Sequence, residues 1–240
     1  MGHGWEGAVL RLLRARDFTL TVTRAERVGP DYVRLRVTDG GLLDASGILP
    51  TTWVRLWFRR NGRPHQRAYT LVDPDPASGT FSLDFALHAG TAADWARAAR
   101  PGDTIEATVH GTPLTPPEQE PAHLLLIGDT AALPALNSLL DAYPGTPATV
   151  WLETRGPGDA ELPVRVRPGR HTLLPVPRER AGARLVEEVR ATLPAHLADP
   201  AGAWAWIACD TTTTRALAGH LRTLLPAPRR QVRAQGYWRP

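Results

Sequence analysis

Apolar and polar residues alternate with a period of two through the first half of the chain, which predicts half-buried antiparallel strands. The clearest case is Phe81–His88, where large apolar residues alternate with serine, aspartate, alanine and histidine. The same pattern predicts further strands at Asp17–Arg27, Val33–Val37, Trp53–Arg59, Ala68–Val72 and Thr104–Val109. A short helix fits Ala92–Ala99. Several short strands separated by turns are typical of a small barrel or sandwich.

The pattern changes after a proline-rich stretch, Gly111–Pro121, which we interpret as a linker between two domains. Beyond it, apolar runs of strand length alternate with segments of helical spacing. The predicted strands are His123–Ile127, Ala148–Leu152, His171–Val176, Trp204–Ala208 and Val232–Trp238. The predicted helices cover 133–140, 183–193 and a segment that Asp210 or Thr211 caps, with Leu217, Leu221 and Leu224 facing inward.

Strands alternating with helices predict a doubly wound parallel sheet. We therefore expect an all-β plus α/β fold, with an antiparallel β-barrel followed by a doubly wound parallel-sheet domain. The expected division is an N-terminal segment 1–17, a barrel domain 18–115, a linker 116–121 and an α/β domain 122–240.

The composition fits an intracellular protein. Hydrophobic residues make up 42% of the 240 residues, which is enough for a real core. Cys209 is the single cysteine, so no intramolecular disulfide can form and a reducing compartment is expected. No apolar run reaches the ~18 residues that a membrane span needs, and no signal peptide is recognised. We expect a cytoplasmic protein without membrane insertion.

The net charge is +4, and all 28 basic residues are arginine. These arginines are spread along the chain and do not alternate with aromatic residues, as a base-stacking surface requires. We therefore expect no nucleic-acid partner. Because lysine is absent, no Schiff base or lysine general base is available.

The segment Arg67-Ala68-Tyr69-Thr70 begins a predicted strand and combines three groups that suit a phosphorylated aromatic cofactor. The guanidinium fork matches phosphate oxygens in two parallel hydrogen bonds. The tyrosine ring can lie against a flat cofactor, and the threonine hydroxyl can bond a ring nitrogen. The alternative is a solvated arginine beside a half-buried tyrosine.

A second motif runs from Asp84 to Trp95, where a strand ends, Gly90 turns the chain and a helix begins. The free N–H groups of a first helical turn form an anion site, and Thr91 adds a hydroxyl group there. The alternatives are an ordinary strand-end histidine at His88 and a core role for Trp95.

A third motif, Gly128-Asp129-Thr130, joins an apolar strand directly to a helix, at the edge where α/β sheets bind nucleotides. The full G-x-G-x-x-G fingerprint is absent, so the standard dinucleotide pattern does not apply. Glu153 and Arg155 follow the next strand. An acid there favours NADH by bonding the ribose, an arginine favours the phosphate of NADPH, and we expect NADPH over NADH.

In order and spacing, these motifs and Gly236-Tyr237-Trp238-Arg239 resemble the siderophore-interacting protein family. These are the FAD-dependent ferric-siderophore reductases of the ferredoxin-reductase-like superfamily. The family pattern has R-x-Y-T, then D-F-V-L-H followed by G-P-A-S and a tryptophan, then G-D-E-T-A-L-P-A, and finally G-Y-W-R. The resemblance covers nearly the whole chain from about Phe18.

The resemblance implies FAD in the barrel domain, with Arg67 on its phosphate, Tyr69 against the isoalloxazine and Thr70 near the reactive edge. The other implied FAD contacts are Ala68, Asp84, Phe85, Ala86, Leu87, His88, Gly90, Thr91, Ala92 and Ala93. The nicotinamide nucleotide would lie beside Gly128, Asp129 and Thr130, with Tyr237 and Trp238 packed near the flavin or the nicotinamide. No catalytic side chain and no metal site are assigned, because the flavin carries the chemistry.

Four positions depart from the family pattern. Val72, Ala93, Thr130 and Cys209 stand where the family usually has arginine, serine, glutamate and glycine. Each loss removes about 1–2 kcal/mol of cofactor binding, so together they bear on whether NADPH is used.

The implied activity is the reduction of Fe(III) in a siderophore with electrons from NADPH, which releases Fe(II). Ferric siderophores are often anionic, and we expect Arg59, Arg60 and Arg63 to form a mouth that attracts them, a solvated barrel edge being the alternative. Two other functions stay open: a flavin reductase of another, biosynthetic substrate, and a nonenzymatic siderophore- or flavin-binding protein. We expect a monomer.

Overall fold

The structure is a computed structural model that describes residues 16–60, 62–109, 117 and 119–240. The chain divides into two compact units, Met1–Pro113 and Leu114–Pro240. The predicted N-terminal segment 1–17 lies outside the described residues except for its last two positions. The predicted linker 116–121 is described at 117 and 119–121.

In the described part of the first unit, six antiparallel strands close into a barrel in the order β1-β2-β5-β4-β3-β6. They are β1 (Arg16–Gly29), β2 (Tyr32–Thr38), β3 (Trp53–Arg60), β4 (Arg63–Asp75), β5 (Thr80–Ala86) and β6 (Thr104–Val109). The first and last strands pair with each other and complete the closure. Helices α1 (Leu42–Ser46) and α2 (Thr91–Ala98) lie in the connections.

The barrel core is built by the apolar set of each alternating strand. On β5, Phe81, Leu83 and Phe85 are fully buried inside the barrel, as their period-2 spacing predicts. Helix α2 contributes its alanines to the same core. The predicted antiparallel barrel is therefore confirmed.

In the described part of the second unit, five parallel strands form a sheet in the order β11-β10-β7-β8-β9. They are β7 (His123–Asp129), β8 (Ala148–Thr154), β9 (His171–Pro177), β10 (Ala203–Ala208) and β11 (Val232–Ala234). The helices are α3 (Leu133–Ala142), α4 (Ala183–His196), α5 (Thr211–Leu224) and α6 (Pro228–Gln231). Single 3₁₀ turns lie at Pro157–Glu161 and Arg180–Gly182.

Helices cover both faces of this sheet, which confirms the doubly wound arrangement. Residues of α3 pack with one face of β7, β8 and β10, and residues of α4 and α5 pack with the other. Strands covered on both sides are apolar at every position, as in β10, where all six residues are buried. None of the described helices has the length and apolar character that crossing a membrane would take.

Two predicted details of the second unit are wrong. Leu224 does not face inward, because it ends α5 on the exposed side, and Leu225 is buried in its place. The last strand ends at Ala234 and does not reach Trp238. The cap of α5 is Asp210, whose carboxylate accepts hydrogen bonds from the N–H groups of Thr212 and Thr213.

Candidate functional site

Strand β4 divides the first motif between its two faces, because side chains alternate along a strand. Arg67 and Tyr69 share the face that continues the barrel core, whereas Ala68 and Thr70 lie on the other. Thr70 is buried, and Arg67 is exposed. The Arg67 guanidinium donates to the backbone oxygen of its neighbour Gln66 at 2.8 Å, so its outer edge faces solvent.

The ring of Tyr69 belongs to a cluster of four aromatic rings. Its centroid lies 4.3 Å from that of Phe85 and 6.4 Å from that of Phe58. Trp95, from α2, lies 5.9 Å from Phe85 and 5.7 Å from Phe58. Burial raises the pKa of the Tyr69 hydroxyl, so the phenol stays protonated. This ring cluster brings the first two sequence motifs together on the barrel.

Helix α2 begins beside these rings. Gly90 precedes it with a φ of 145°, a conformation that favours glycine, and Thr91 is its first residue. No side chain of the described residues caps this helix, so the N–H groups of its first turn suit an anion. Ala92 and Ala93 are buried, and their backbone is the part that can meet a ligand.

Asp84, Phe85 and Leu87 turn their side chains into the protein, and Ala86 is half-buried. The Asp84 carboxylate accepts two hydrogen bonds from the guanidinium of Arg34, its cross-strand partner, at 2.7 and 2.8 Å. These bonds raise the pKa of Arg34. The carboxylate predicted to contact a cofactor is thus held within the barrel wall.

His88 is exposed at the end of the second motif. Its Nδ1 lies 2.7 Å from the backbone oxygen of Ala89, and Arg97 donates to the backbone oxygen of His88 at 3.0 Å. Arg97 also pairs with Asp94 at 2.8 Å, so this side chain fastens α2 to the end of β5. The loop that contains Gly90 is therefore held from both sides.

The hairpin of β3 and β4 carries three exposed arginines at its end, Arg59, Arg60 and Arg63. Arg60 pairs with Arg63, which stands an even number of residues from Arg67 and Tyr69. Because side chains alternate, Arg60 and Arg63 share a face with Arg67 and Tyr69, and Arg59 points to the opposite face. Two of the three arginines predicted to bind the substrate thus lie on the same face of the hairpin as Arg67 and Tyr69.

In the second unit, Gly128 allows α3 to lie close to the sheet. A Cβ at this position would be 2.9 Å from a backbone oxygen of β10 and 3.0 Å from the Cβ of Ala132. Glycine serves helix–strand packing in this way in nucleotide folds. Asp129 follows, and its Oδ1 accepts from the N–H groups of Ala131 and Ala132 at 3.0 and 3.2 Å. Thr130 is buried.

The carboxyl edge of the sheet carries a cluster of four charged residues and one tryptophan. Asp129 and Glu153 lie at the ends of β7 and β8, Asp210 and Arg178 follow β10 and β9, and Trp238 comes from the segment after β11. Arg178 forms an ion pair with Glu153 and lies 3.5 Å from Asp210. The guanidinium carbon of Arg178 is 4.8 Å from the ring centroid of Trp238, whose Nε1 donates to Asp129 at 2.7 Å. We call these five residues the edge cluster.

Backbone bonds fix the C-terminal segment at this edge. The N–H of Tyr237 donates to the oxygen of Cys209, and the N–H of Thr211 donates to the oxygen of Trp238, both at 2.9 Å. The ring of Tyr237 packs at 6.0 Å from Trp206, nearly perpendicular to it. The structure therefore brings Tyr237, Trp238 and Asp129, all predicted cofactor residues, to one edge.

Arg155 and Glu153 differ in what they offer. Arg155 is exposed beyond the end of β8, where its N–H donates to Asp159 at 2.7 Å and its Nε lies 3.8 Å from the same carboxylate. Glu153 is buried against Arg178 and is not at the surface where a ribose would be bound. Glu153, the acid that would favour NADH, is thus paired with Arg178 inside the protein.

Comparison with protein families decides the identity of both units. A family model described as siderophore-interacting protein matches residues 121–240, and one described as siderophore-interacting FAD-binding domain matches residues 24–110. The chain belongs to the siderophore-interacting protein family. Its barrel unit is a siderophore-interacting FAD-binding domain.

A curated relative extends the similarity over nearly the whole chain. The mycobactin import ATP-binding/permease protein IrtA of Mycobacterium tuberculosis is 31% identical over 246 residues, which cover 99% of this chain. The match covers 28% of that protein's length, so the chain corresponds to about a quarter of its curated relative.

Solved structures share the fold of this family member. The siderophore-interacting protein SipS from Aeromonas hydrophila matches with a TM-score of 0.78 and 24% identity, over 94% of this chain and 99% of that one. A ferredoxin NADP+ reductase from Neisseria gonorrhoeae matches with a TM-score of 0.72 and 13% identity, over 92% and 99%. The two-unit fold is therefore that of the ferredoxin reductases.

The barrel residues fit FAD, which combines a flat ring system with a pyrophosphate. The half-buried ring of Tyr69 suits the flat part, and the exposed guanidinium of Arg67 suits a phosphate. The uncapped start of α2 offers N–H groups that also suit a phosphate. The barrel residues therefore include groups of the kind that the ring system and the pyrophosphate of FAD require.

Sequence reasoning missed Arg34 as the partner of Asp84 and Arg178 as the centre of the edge cluster. Arg34 alternates with Val33 and Leu35, a pattern that places the arginine of a half-buried strand on the solvent side. Arg178 follows β9 directly, and the signal that could have found it is that charged residues stand at or just after the ends of several strands, which meet at one edge of a parallel sheet. The pairing of Arg34 with Asp84 and of Arg178 with Glu153 depends on the order of the strands in each sheet, which the pattern of apolar and polar residues does not specify.

Proposed function

We propose that this member of the siderophore-interacting protein family is an FAD-dependent reductase that reduces Fe(III) in siderophore complexes with electrons from NADPH. The observation that carries the proposal is the cluster of Tyr69, Phe85 and Trp95, which joins the Arg67–Thr70 segment to the uncapped start of α2. It stands in a domain that matches a siderophore-interacting FAD-binding model. When bound, FAD accepts a hydride from a nicotinamide and passes electrons singly to an acceptor.

The chain's own residues bind and orient FAD. Arg67 holds a phosphate and Tyr69 lies against the ring system, whereas Thr70, buried on the opposite face of β4, contributes through its backbone. Ala68, Ala86, His88, Gly90 and Thr91 contact it from the strands and the loop. Asp84, Phe85, Leu87, Ala92 and Ala93 contribute through their backbone, because their side chains are buried.

Two observations favour NADPH over NADH. Arg155 is exposed at the end of β8, where an arginine suits a 2′-phosphate. Glu153, the acid that would bond a ribose hydroxyl, is buried and paired with Arg178. Gly128, Asp129, Thr130, Tyr237 and Trp238 complete the proposed nucleotide-binding edge.

The arginine face of the β3–β4 hairpin is the proposed contact for the siderophore. Arg60 and Arg63 lie on one face, and their positive charge attracts an anionic ferric chelate. Arg59 lies on the opposite face and contributes to the long-range attraction without contact. Hard oxygen ligands hold Fe(II) far more weakly than Fe(III), so reduction releases the iron. We also propose that the protein is a monomer, that it is cytoplasmic and that it has no nucleic-acid partner.

The test uses the purified chain loaded with FAD. Anaerobic addition of NADPH should bleach the flavin absorption faster than NADH does, and a panel of ferric chelates should then release Fe(II) to a coloured Fe(II) chelator. A flavin that binds but is not bleached by either nucleotide would indicate a binding protein. Bleaching without iron release from any chelate would indicate a flavin reductase of another substrate. A chain that does not bind FAD would refute the proposal.

A further inference from the structure

Arg178 is the cation that balances the buried acids of the edge cluster. Asp210 is held by the first turn of α5, and Asp129 by the first turn of α3. Glu153 has no such support: one carboxylate oxygen pairs with Arg178, and the other, Oε1, is buried without a hydrogen bond to any described residue. The position of Glu153 therefore depends on Arg178.

The loop that carries Arg178 is built into a fixed position. Arg180 and Ala181 have φ values of 47° and 53°, which residues other than glycine rarely adopt. Gly182 follows with φ of 92°, and a Cβ there would lie 2.2 Å from the Oγ1 of Thr213. Such a conformation persists where the surrounding structure enforces it. The packing of this turn on α5 thus places Arg178 beside Asp210.

Trp238 receives its orientation from this arrangement. The guanidinium of Arg178 lies over one face of the indole, and the indole N–H is tied to Asp129. The residue still exposes 36% of its surface. A flat ring fixed on one face and at its N–H offers its other face to a second flat ring.

We propose that Arg178 is a positioning residue: it holds the Trp238 indole at the carboxyl edge of the sheet and so sets the affinity of that edge for a nicotinamide dinucleotide phosphate. The ligand in this statement rests on the proposed function. Holding the ring before the ligand arrives removes an ordering cost from binding, which corresponds to about five- to tenfold in affinity.

The experiment compares Arg178→Met with Arg178→Lys and with Arg184→Met in the full chain. Arg184 forms an exposed ion pair with Glu188 on α4 and serves as the matched control. The orientation of the Trp238 ring is measured by near-ultraviolet circular dichroism. The Trp238 signal is the part of the wild-type spectrum that the Trp238→Phe variant lacks. Amide exchange of Tyr237, whose N–H is bonded at the edge, gives a second measure. Calorimetry with NADP+ measures affinity without turnover.

We expect Arg178→Met to lose the Trp238 signal, to speed exchange at Tyr237 and to weaken NADP+ about five- to tenfold. Arg178→Lys keeps the charge over the ring and should restore part of each effect, and Arg184→Met should change none. If Arg178→Met does not fold, Glu153→Gln combined with Arg178→Met removes the unpaired acid and is measured in its place.

Two results would overturn the proposal while wild-type NADP+ binding is intact. One is an unchanged Trp238 signal in Arg178→Met, and the other is a lost signal with unchanged NADP+ affinity. Absence of NADP+ binding to the wild type has a different meaning. It refutes the proposed electron donor and the ligand named here, whatever the Trp238 signal shows.

Discussion

Replacing Arg34 by methionine is expected to destabilise the barrel unit by about 3 kcal/mol, because it leaves a buried carboxylate without its partner. The Asp84 side chain is 1% exposed and receives both of its 2.7 and 2.8 Å hydrogen bonds from Arg34. Breaking a buried pair costs about 3–5 kcal/mol. We take the low end, since the Arg34 side chain is 22% exposed and water can reach the pair.

Removing both charges separates this structural role from cofactor binding. Arg34→Met combined with Asp84→Leu replaces the pair by apolar groups, which is often close to neutral. We therefore expect the double variant to recover most of the lost stability and to bind FAD within about threefold of the wild type, less than ~0.7 kcal/mol. A cofactor contact through the Asp84 carboxylate would instead lower FAD affinity in both variants.

Amide exchange along β2 and β5 measures the opening free energy of the barrel in the intact chain. Arg24→Met is the control, because Arg24 and Glu26 form an exposed pair on β1 that should contribute at most about 1 kcal/mol. The reasoning would be refuted if Arg34→Met left barrel exchange unchanged. It would also fail if the double variant stayed stable but lost FAD.

Three further outcomes are expected. Arg67→Ala should lower FAD affinity at least about tenfold, measured as flavin retained after desalting, because a charge-assisted phosphate contact is lost. Cys209 is fully buried, which raises the pKa of its thiol, so a thiol reagent should label the folded protein slowly; fast labelling would contradict this. Burial raises the pKa of Glu153 above its ordinary 4.5, so its neutral form stabilises the fold at low pH, and this stability is lost as pH rises through the raised pKa. Urea unfolding of Glu153→Gln should therefore depend less on pH above 4.5 than that of the wild type, and an equal dependence would count against the burial argument.

The pattern of the barrel strands was predictable where one face of a strand is buried. Thr104–Val109 was predicted with the bounds that the structure has for β6. Strand β4 begins at Arg63, five residues before its predicted start, because the end of the hairpin carries polar residues on both faces. Without a buried face there is no alternation to detect.

The wrong end of the last strand has its cause in the tertiary fold. Val232–Trp238 is apolar enough to be predicted as one strand, but the chain leaves the sheet after Ala234. Gly236 packs so closely on Thr211 that a Cβ would lie 2.6 Å from its methyl group. This contact belongs to the tertiary fold, and spacing along the chain carries no sign of it.

The candidate site divides in the same way between local and distant causes. Arg67, Tyr69 and the start of α2 depend on strand alternation and a glycine turn, which are local: Arg67 and Tyr69 share one face of β4, and α2 begins directly after Gly90. The role of Glu153 depends on the position of β9 beside β8, because only this strand order brings Arg178 to the Glu153 carboxylate. An acid after a strand binds a ribose if it is exposed and stabilises the protein's own edge if an arginine covers it. Strand order decides between these outcomes, and in this chain it buries Glu153 against Arg178.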